Sequence, residues 1–220
     1  MQTKKLSLHH VIRPGIISAD KKSSALLMLH GYGSNEMDLF SFVDELPENL
    51  FIISARAPHR LPFGGFSWYD IHFDADDNKF FDDLQAMESL RLISSFIDEL
   101  FEAYDLDVEN FNLLGFSQGS IMSYALGFTF PEKLKNIVAL SGYINEDIMP
   151  FNQKNEQYKD LDFFISHGIY DPVLPVEWAR RSPQYLSERK IEHIYKEYPM
   201  GHEVNRENFE DFRQWLSERI

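Results

Sequence analysis

The stretch Asn112-Leu-Leu-Gly-Phe-Ser-Gln-Gly-Ser-Ile121 leaves its backbone few options. An apolar run ends at Leu114, Gly115 and Gly119 bracket Ser117 at G-x-S-x-G spacing, and a helix-like segment follows from Gln118. A strand that passes at once into a helix makes a sharp turn and pushes the apical side chain clear of the backbone. Glycine on either side removes the Cβ atoms that would crowd such a turn. The helix N-terminus adds unpaired N–H groups and a partial positive charge beside the serine hydroxyl. The same five residues also read as a plain strand exit with Ser117 as an N-cap. The rest of the chain has to choose between the two.

Buried strands and amphipathic helices alternate along it. Residues 4–13 alternate loosely as an edge strand, and 23–30 and 50–54 are near-continuous apolar runs, as in strands covered on both faces. A helix is expected over 36–46, and an irregular stretch rich in Pro, Gly, Asp and aromatics over 55–82. Leu84, Met87, Leu90, Ile93, Ile97, Leu100, Phe101 and Tyr104 recur at three- and four-residue steps and predict a helix over 83–104. Strands follow at 110–114, 135–141, 162–166 and 191–198, with helices at 118–130, 175–189 and 205–219 and a polar segment at 145–160. Phe209, Phe212, Trp215 and Leu216 form the inward face of the last helix. The pattern predicts one α/β domain over 1–220, a mostly parallel central sheet with helices on both faces.

Composition narrows the function classes. With no cysteine, the chain has no disulfides, thiolate catalysis or Cys-containing metal sites. A formal net charge of −14 argues against nucleic acid and against charge-driven binding to anionic bilayers. The basic start Met1-Gln-Thr-Lys-Lys has no apolar segment behind it, and no run approaches the ~18–20 residues of a membrane span. A cytoplasmic protein without a membrane span is the expectation.

In open α/β sheets, functional groups gather beyond the carboxyl ends of the strands. Asp171 lies a few residues past the strand at 162–166, and His202 lies in the turn between the strand at 191–198 and the last helix. The order Ser117, Asp171, His202 suits acyl-transfer chemistry on such a sheet. A serine hydroxyl is a weak nucleophile at neutral pH, so an imidazole must take its proton and a carboxylate must orient that imidazole. Backbone N–H groups of Gln118 and of Tyr32, in the loop His30-Gly-Tyr-Gly33, are candidate oxyanion donors. Singly, Asp171 before Pro172 also reads as a turn and His202 as a helix cap. His30, His167 and His202 fall at neighbouring strand ends but lack ligand spacing, so no metal is expected. Neither nucleotide-binding glycine pattern occurs.

With these residues assembled, the chain resembles the carboxylesterase/phospholipase family that includes the acyl-protein thioesterases. The resemblance runs from about Ala25 to Leu216. Its carriers are Leu29-His-Gly-Tyr-Gly33, Ser67-Trp-Tyr-Asp-Ile71, Gly115-Phe-Ser-Gln-Gly119, His167-Gly-Ile-Tyr-Asp-Pro-Val-Leu-Pro175 and Gly201-His-Glu203. It implies an α/β-hydrolase without a large lid domain and with no cofactor. The implied triad is Ser117, Asp171 and His202, with Tyr32 and Gln118 as oxyanion donors. It implies small carboxylic esters as substrates, with acyl thioesters or lysophospholipids in some members. A small peptidase and a non-catalytic binding protein on the same fold are the rivals. Tyr32 stands where a small or aliphatic residue is common. Phe63, Phe66 and Trp68 are expected to form an acyl-binding wall, although such aromatics serve equally to fasten the loop or to make a homodimer contact.

Overall fold

The computed structural model describes residues 3–18, 21–73, 79–149 and 155–220. Parts of the irregular stretch (74–78) and of the polar segment (150–154) lie outside the described residues. The chain runs β1 (His10–Arg13), β2 (Ser23–Leu29), α1 (Met37–Phe40), β3 (Phe51–Ala55), β4 (His59–Arg60), β5 (Phe66–Ser67), β6 (Ile71–Phe73) and β7 (Lys79–Phe81). It continues as α2 (Asp83–Ala103), β8 (Leu106–Phe116), α3 (Gln118–Thr129), β9 (Asn136–Leu140) and β10 (Asp162–Gly168). The last elements are α4 (Val176–Ala179), α5 (Ser182–Glu188), β11 (Glu192–Tyr198) and α6 (Arg206–Ser217).

Seven strands form one sheet in the order β1-β3-β2-β8-β9-β10-β11. Only β1 is antiparallel to its neighbour; all other pairings are parallel. Successive side chains of a strand point to opposite faces, and β2 shows why its sequence is apolar throughout. Ala25, Leu27 and Leu29 enter the layer shared with α2 and α3. Leu26 and Met28 enter the other layer, against Phe209, Phe212, Trp215 and Leu216 of α6. Both faces are covered, so neither set can be polar.

The helices start where their side chains supply caps. The Asp82 carboxylate accepts the Gln85 N–H (2.9 Å) ahead of α2, and the Asn205 side chain accepts the Asn208 N–H (2.9 Å) ahead of α6. Each satisfies an N–H that has no partner inside its own helix.

Several elements differ from expectation. Pairing of the first strand covers only His10 to Arg13, opposite Ala55 to Ile52. The helix expected over 36–46 is α1 followed by a 3-10 turn at Val43–Glu45. The helix expected over 175–189 breaks into α4 and α5, with Pro183 in the first turn of α5. Proline has no N–H to continue an upstream helix, so the break falls just before it. Within 55–82 the described part contains two small hairpins, β4–β5 and β6–β7. Leu84 is 72% exposed. It sits in the first turn of α2, off the inward stripe of Ala86, Leu90, Ile93, Ile97 and Leu100.

Phe212 is fully buried and packs edge-on against Phe209 at 5.1 Å. Phe212→Ala should cost about 3–5 kcal/mol, and Leu84→Ala less than about 0.5 kcal/mol. Urea midpoints at constant m-value measure both.

Candidate active site

Strand β8 ends at Phe116 and α3 begins at Gln118, so Ser117 alone makes the turn. It does so at φ 55°, ψ −118°, a conformation in which L-residues are strained. The two bracketing glycines face backbone at very close range. A Cβ on Gly119 would overlap the Leu29 carbonyl, and one on Gly115 would overlap the Gly119 carbonyl. The Ser117 N–H is held by the Leu140 carbonyl at 2.9 Å, which ties the turn to the end of β9.

Three side chains meet there. The Ser117 Oγ and His202 Nε2 lie 2.8 Å apart. His202 Nδ1–H donates to Asp171 Oδ2 at 2.6 Å. A carboxylate only accepts, so this contact places the imidazole proton on Nδ1 and leaves Nε2 free to accept the Ser117 hydroxyl proton. The Asp171 side chain is completely buried and that of His202 is 16% exposed. The Phe116 ring lies 5.0 Å from the His202 ring and covers it.

The backbone fixes these positions. Asp171 follows β10 and His202 follows β11, two parallel neighbours whose exits run side by side. Ile169 N–H donates to Tyr198 O (2.9 Å) and Tyr170 N–H to Met200 O (3.1 Å). Asp171 Oδ1 accepts the N–H groups of Val173 (2.8 Å) and Leu174 (2.9 Å), which curls its loop around the carboxylate. His167, also fully buried, donates its Nε2–H to Leu174 O at 2.9 Å with Asp171 Oδ2 at 3.3 Å. Asp171 is thus a buried carboxylate surrounded by N–H groups, the usual condition for keeping such a charge inside.

Across the turn lies the loop after β2. At Gly31 a Cβ would stand 3.3 Å from that of Ser117, so this loop adjoins the serine directly. Among the described residues, no chain acceptor takes the backbone N–H of Tyr32 or of Gln118. His30 is buried with both ring nitrogens in use: Nε2 accepts the Ala57 N–H (3.1 Å) and Nδ1–H donates to Gly31 O (2.7 Å). Burial holds its proton affinity below the ordinary histidine value. No group of three potential metal-binding side chains occurs among the described residues.

The aromatic loop differs from expectation. Trp68 is fully buried and cannot line an open acyl wall. Its indole N–H donates to His30 O (2.9 Å) and its backbone N–H to the Gln118 carboxamide oxygen (2.8 Å). The Gln118 amide nitrogen in turn donates to Tyr69 O (2.7 Å). Phe66 is half-buried under the Arg56 guanidinium, 4.6 Å away, and exchanges backbone hydrogen bonds with Gly33 and Ser34. Arg56 is itself paired to buried Glu36, which it holds below the usual carboxylate range. Only Phe63 is strongly exposed, its ring 6.4 Å from that of Tyr32. A buried indole N–H usually finds an acceptor, and for Trp68 the acceptor belongs to the loop beside the serine.

Residues 13–220 match the phospholipase/carboxylesterase family model. The chain belongs to that family. An acyl-protein thioesterase 1 from Yarrowia lipolytica is 28% identical over 90% of this chain and 92% of its own. A probable carboxylesterase from Arabidopsis thaliana is 27% identical over 89% of this chain and 78% of its own. The crystal structure of a Bacillus cereus carboxylesterase superposes with TM-score 0.82 at 20% identity, over 97% of this chain and 95% of that one. The fold of this phospholipase/carboxylesterase-family member is therefore the α/β-hydrolase fold without a large lid. Membership makes the chain a hydrolase of ester-type bonds.

Sequence reasoning missed the role of the Gln118 carboxamide, and it weighed His167 only as a metal ligand, not as a neighbour of Asp171. The His167-Gly168 pair just before Asp171 was the available signal. Trp68→Phe should leave a buried His30 carbonyl unsatisfied and cost about 1–3 kcal/mol, whereas exposed Phe63→Ala should cost less than about 0.5 kcal/mol. Chemical denaturation of the two variants separates a fastening loop from an acyl wall.

Proposed function

We propose that the chain is a serine carboxylesterase that cleaves small carboxylic esters through an acyl-Ser117 intermediate. The observation that carries this reading is the hydrogen-bonded row from the Ser117 Oγ through His202 to Asp171, at 2.8 and 2.6 Å. His202 Nε2 takes the hydroxyl proton as the Ser117 Oγ attacks the ester carbonyl carbon. Asp171 holds the imidazole in the required tautomer and stabilises the imidazolium. The oxyanion of the tetrahedral intermediate is received by the N–H groups of Tyr32 and Gln118, aided by the N-terminus of α3. His202 then returns its proton to the departing alcohol. A water molecule, deprotonated by the same nitrogen, attacks the acyl-serine and releases the acid.

Backbone donors that are already in place need little reorganisation as charge develops, and this is usually a large part of catalysis. The contacts of Trp68 and the Gln118 side chain support that role, because they hold the two donor segments against each other. The chemistry described needs no cofactor. The thioesterase name of the yeast relative supports a second reading, acyl-thioester cleavage by the same steps with a thiolate leaving group.

Hydrolysis of p-nitrophenyl butyrate tests the first reading. Ser117→Ala should abolish turnover while the urea midpoint stays near that of the parent. Asp171→Asn should lower kcat by about 10³–10⁴-fold through the wrong imidazole tautomer. Near-full activity of either variant removes that residue from the mechanism. Turnover of butyryl thioesters far above that of the oxygen ester would favour the second reading.

A further inference from the structure

A histidine near the end of β10 takes no part in the proton transfers described above, yet it is built against the carboxylate that orients His202. The His167 side chain is completely buried, and its Nε2 lies 2.9 Å from Leu174 O and 3.3 Å from Asp171 Oδ2. A carbonyl oxygen only accepts, so the ring proton is on Nε2. Nδ1 has no hydrogen-bond partner among the described residues. A buried imidazole that leaves one nitrogen unpaired is a costly way to hold a single carbonyl. The second acceptor within its reach, Oδ2, is the oxygen that receives the His202 Nδ1–H at 2.6 Å.

Leu174 links both oxygens of that carboxylate. Its N–H donates to Asp171 Oδ1 at 2.9 Å, and its carbonyl holds the His167 N–H beside Oδ2. From β11, Glu197 stands opposite His167 in the strand register. Both Glu197 oxygens are engaged: Arg180 donates to each, at 2.7 and 2.9 Å, and the Tyr195 phenol donates to one at 2.8 Å. Arg180 holds Glu197 below the usual carboxylate range, so that charge is matched by its own guanidinium. Burial raises the proton affinity of the Tyr195 phenol and of its neighbour Tyr124 on α3, so both stay neutral. Asp171, on the loop after β10, and His202 beyond it are the ionisable groups on the side of the site.

We propose that His167 is a positioning residue for the Ser117–His202–Asp171 row: its Nε2–H, beside Asp171 Oδ2, keeps His202 in the proton-accepting form at neutral pH. The inference rests on the acyl-Ser117 reading and deepens it. Before attack the buried Asp171 charge has only neutral donors around it. Once His202 holds a second proton, the imidazolium neutralises that charge. The positive end of the His167 N–H attracts the carboxylate in both states but repels the imidazolium in the second. It therefore favours the unprotonated base, and less of His202 is lost to solvent protons on the acid side. Complete burial of His167 and Asp171 keeps water from screening the effect. At alkaline pH, where His202 is unprotonated in any case, the contact brings no gain.

The test is the pH profile of kcat/KM on p-nitrophenyl butyrate, which reports the base of the unliganded enzyme. Three proteins are compared: the wild type, His167→Phe, which keeps a ring without the N–H, and His167→Gln, whose carboxamide restores a donor. In His167→Phe the acidic limb should move up by at least about half a pH unit, a loss of about threefold in rate on that limb. His167→Gln should bring the limb back toward the wild type. Lost packing alone lowers the whole profile by one factor and leaves the limb in place. A limb that does not move up in His167→Phe, or that His167→Gln does not restore, overturns the inference while leaving the esterase reading intact. If His167→Phe does not fold, nitrogen NMR of the wild-type imidazoles decides. A proton on His167 Nε2 alone supports the inference, and a proton on Nδ1 overturns it. If the wild type turns over no ester, the esterase reading fails, and the pH profile of Ser117 labelling by an ethyl fluorophosphonate, which draws on the same base, is compared instead. The same upward shift in His167→Phe supports the role of His167; an unmoved limb, or no labelling, overturns it.

Discussion

The passage from β8 to α3 through one residue is the constraint on which the rest of the site depends. Ser117 sits at φ 55°, and a non-glycine residue there is strained by roughly 1–3 kcal/mol. Tightly packed surroundings keep it in place. Backbone crosses above and below the turn at Gly115 and Gly119 so closely that no side chain fits at either position. The Ser117 N–H is bonded to Leu140, and its carbonyl accepts the Ile121 N–H in the first turn of the helix. The strain holds the hydroxyl outward, and the parallel sheet on both sides makes the strain tolerable.

Everything that meets Ser117 arrives from the same end of the sheet on separate loops, and buried hydrogen bonds set the distances between those loops. Trp68, Gln118 and His30 join three segments far apart in the chain through N–H and carbonyl groups that have no access to water. Leaving any of these groups unpaired would cost more than the bond itself contributes. The same rule explains the neighbourhood of Asp171. Its carboxylate is fully buried, and the amides of Val173 and Leu174 and the rings of His202 and His167 surround it. These contacts present His202 Nε2 to the Ser117 hydroxyl.

The amino-acid sequence by itself determined what depends on local periodicity and local sterics. The apolar runs at 23–30 and 135–141 could only be strands covered on both faces. The glycine–serine–glycine spacing between an apolar run and a helix start marked a sharp turn at Ser117, and the inward stripe of α6 was visible as Phe209, Phe212, Trp215 and Leu216. Strand-exit positions also singled out Asp171 and His202 as neighbours of Ser117, because a parallel sheet delivers every exit to one edge. Tertiary structure alone decided what those neighbours touch. Trp68 reads as an exposed loop aromatic until the His30 carbonyl reaches its indole nitrogen. Gln118 reads as a helix start until its carboxamide meets residues 68 and 69. His167 reads as a strand-end histidine without ligand spacing until Asp171 folds back over it. Each of these partners is at least four and at most 50 residues away in the chain. The hydrogen bonds of Trp68 and Gln118, 38 to 50 residues apart, exist only once the sheet has set the distance between the loops, and no pattern within either segment encodes them.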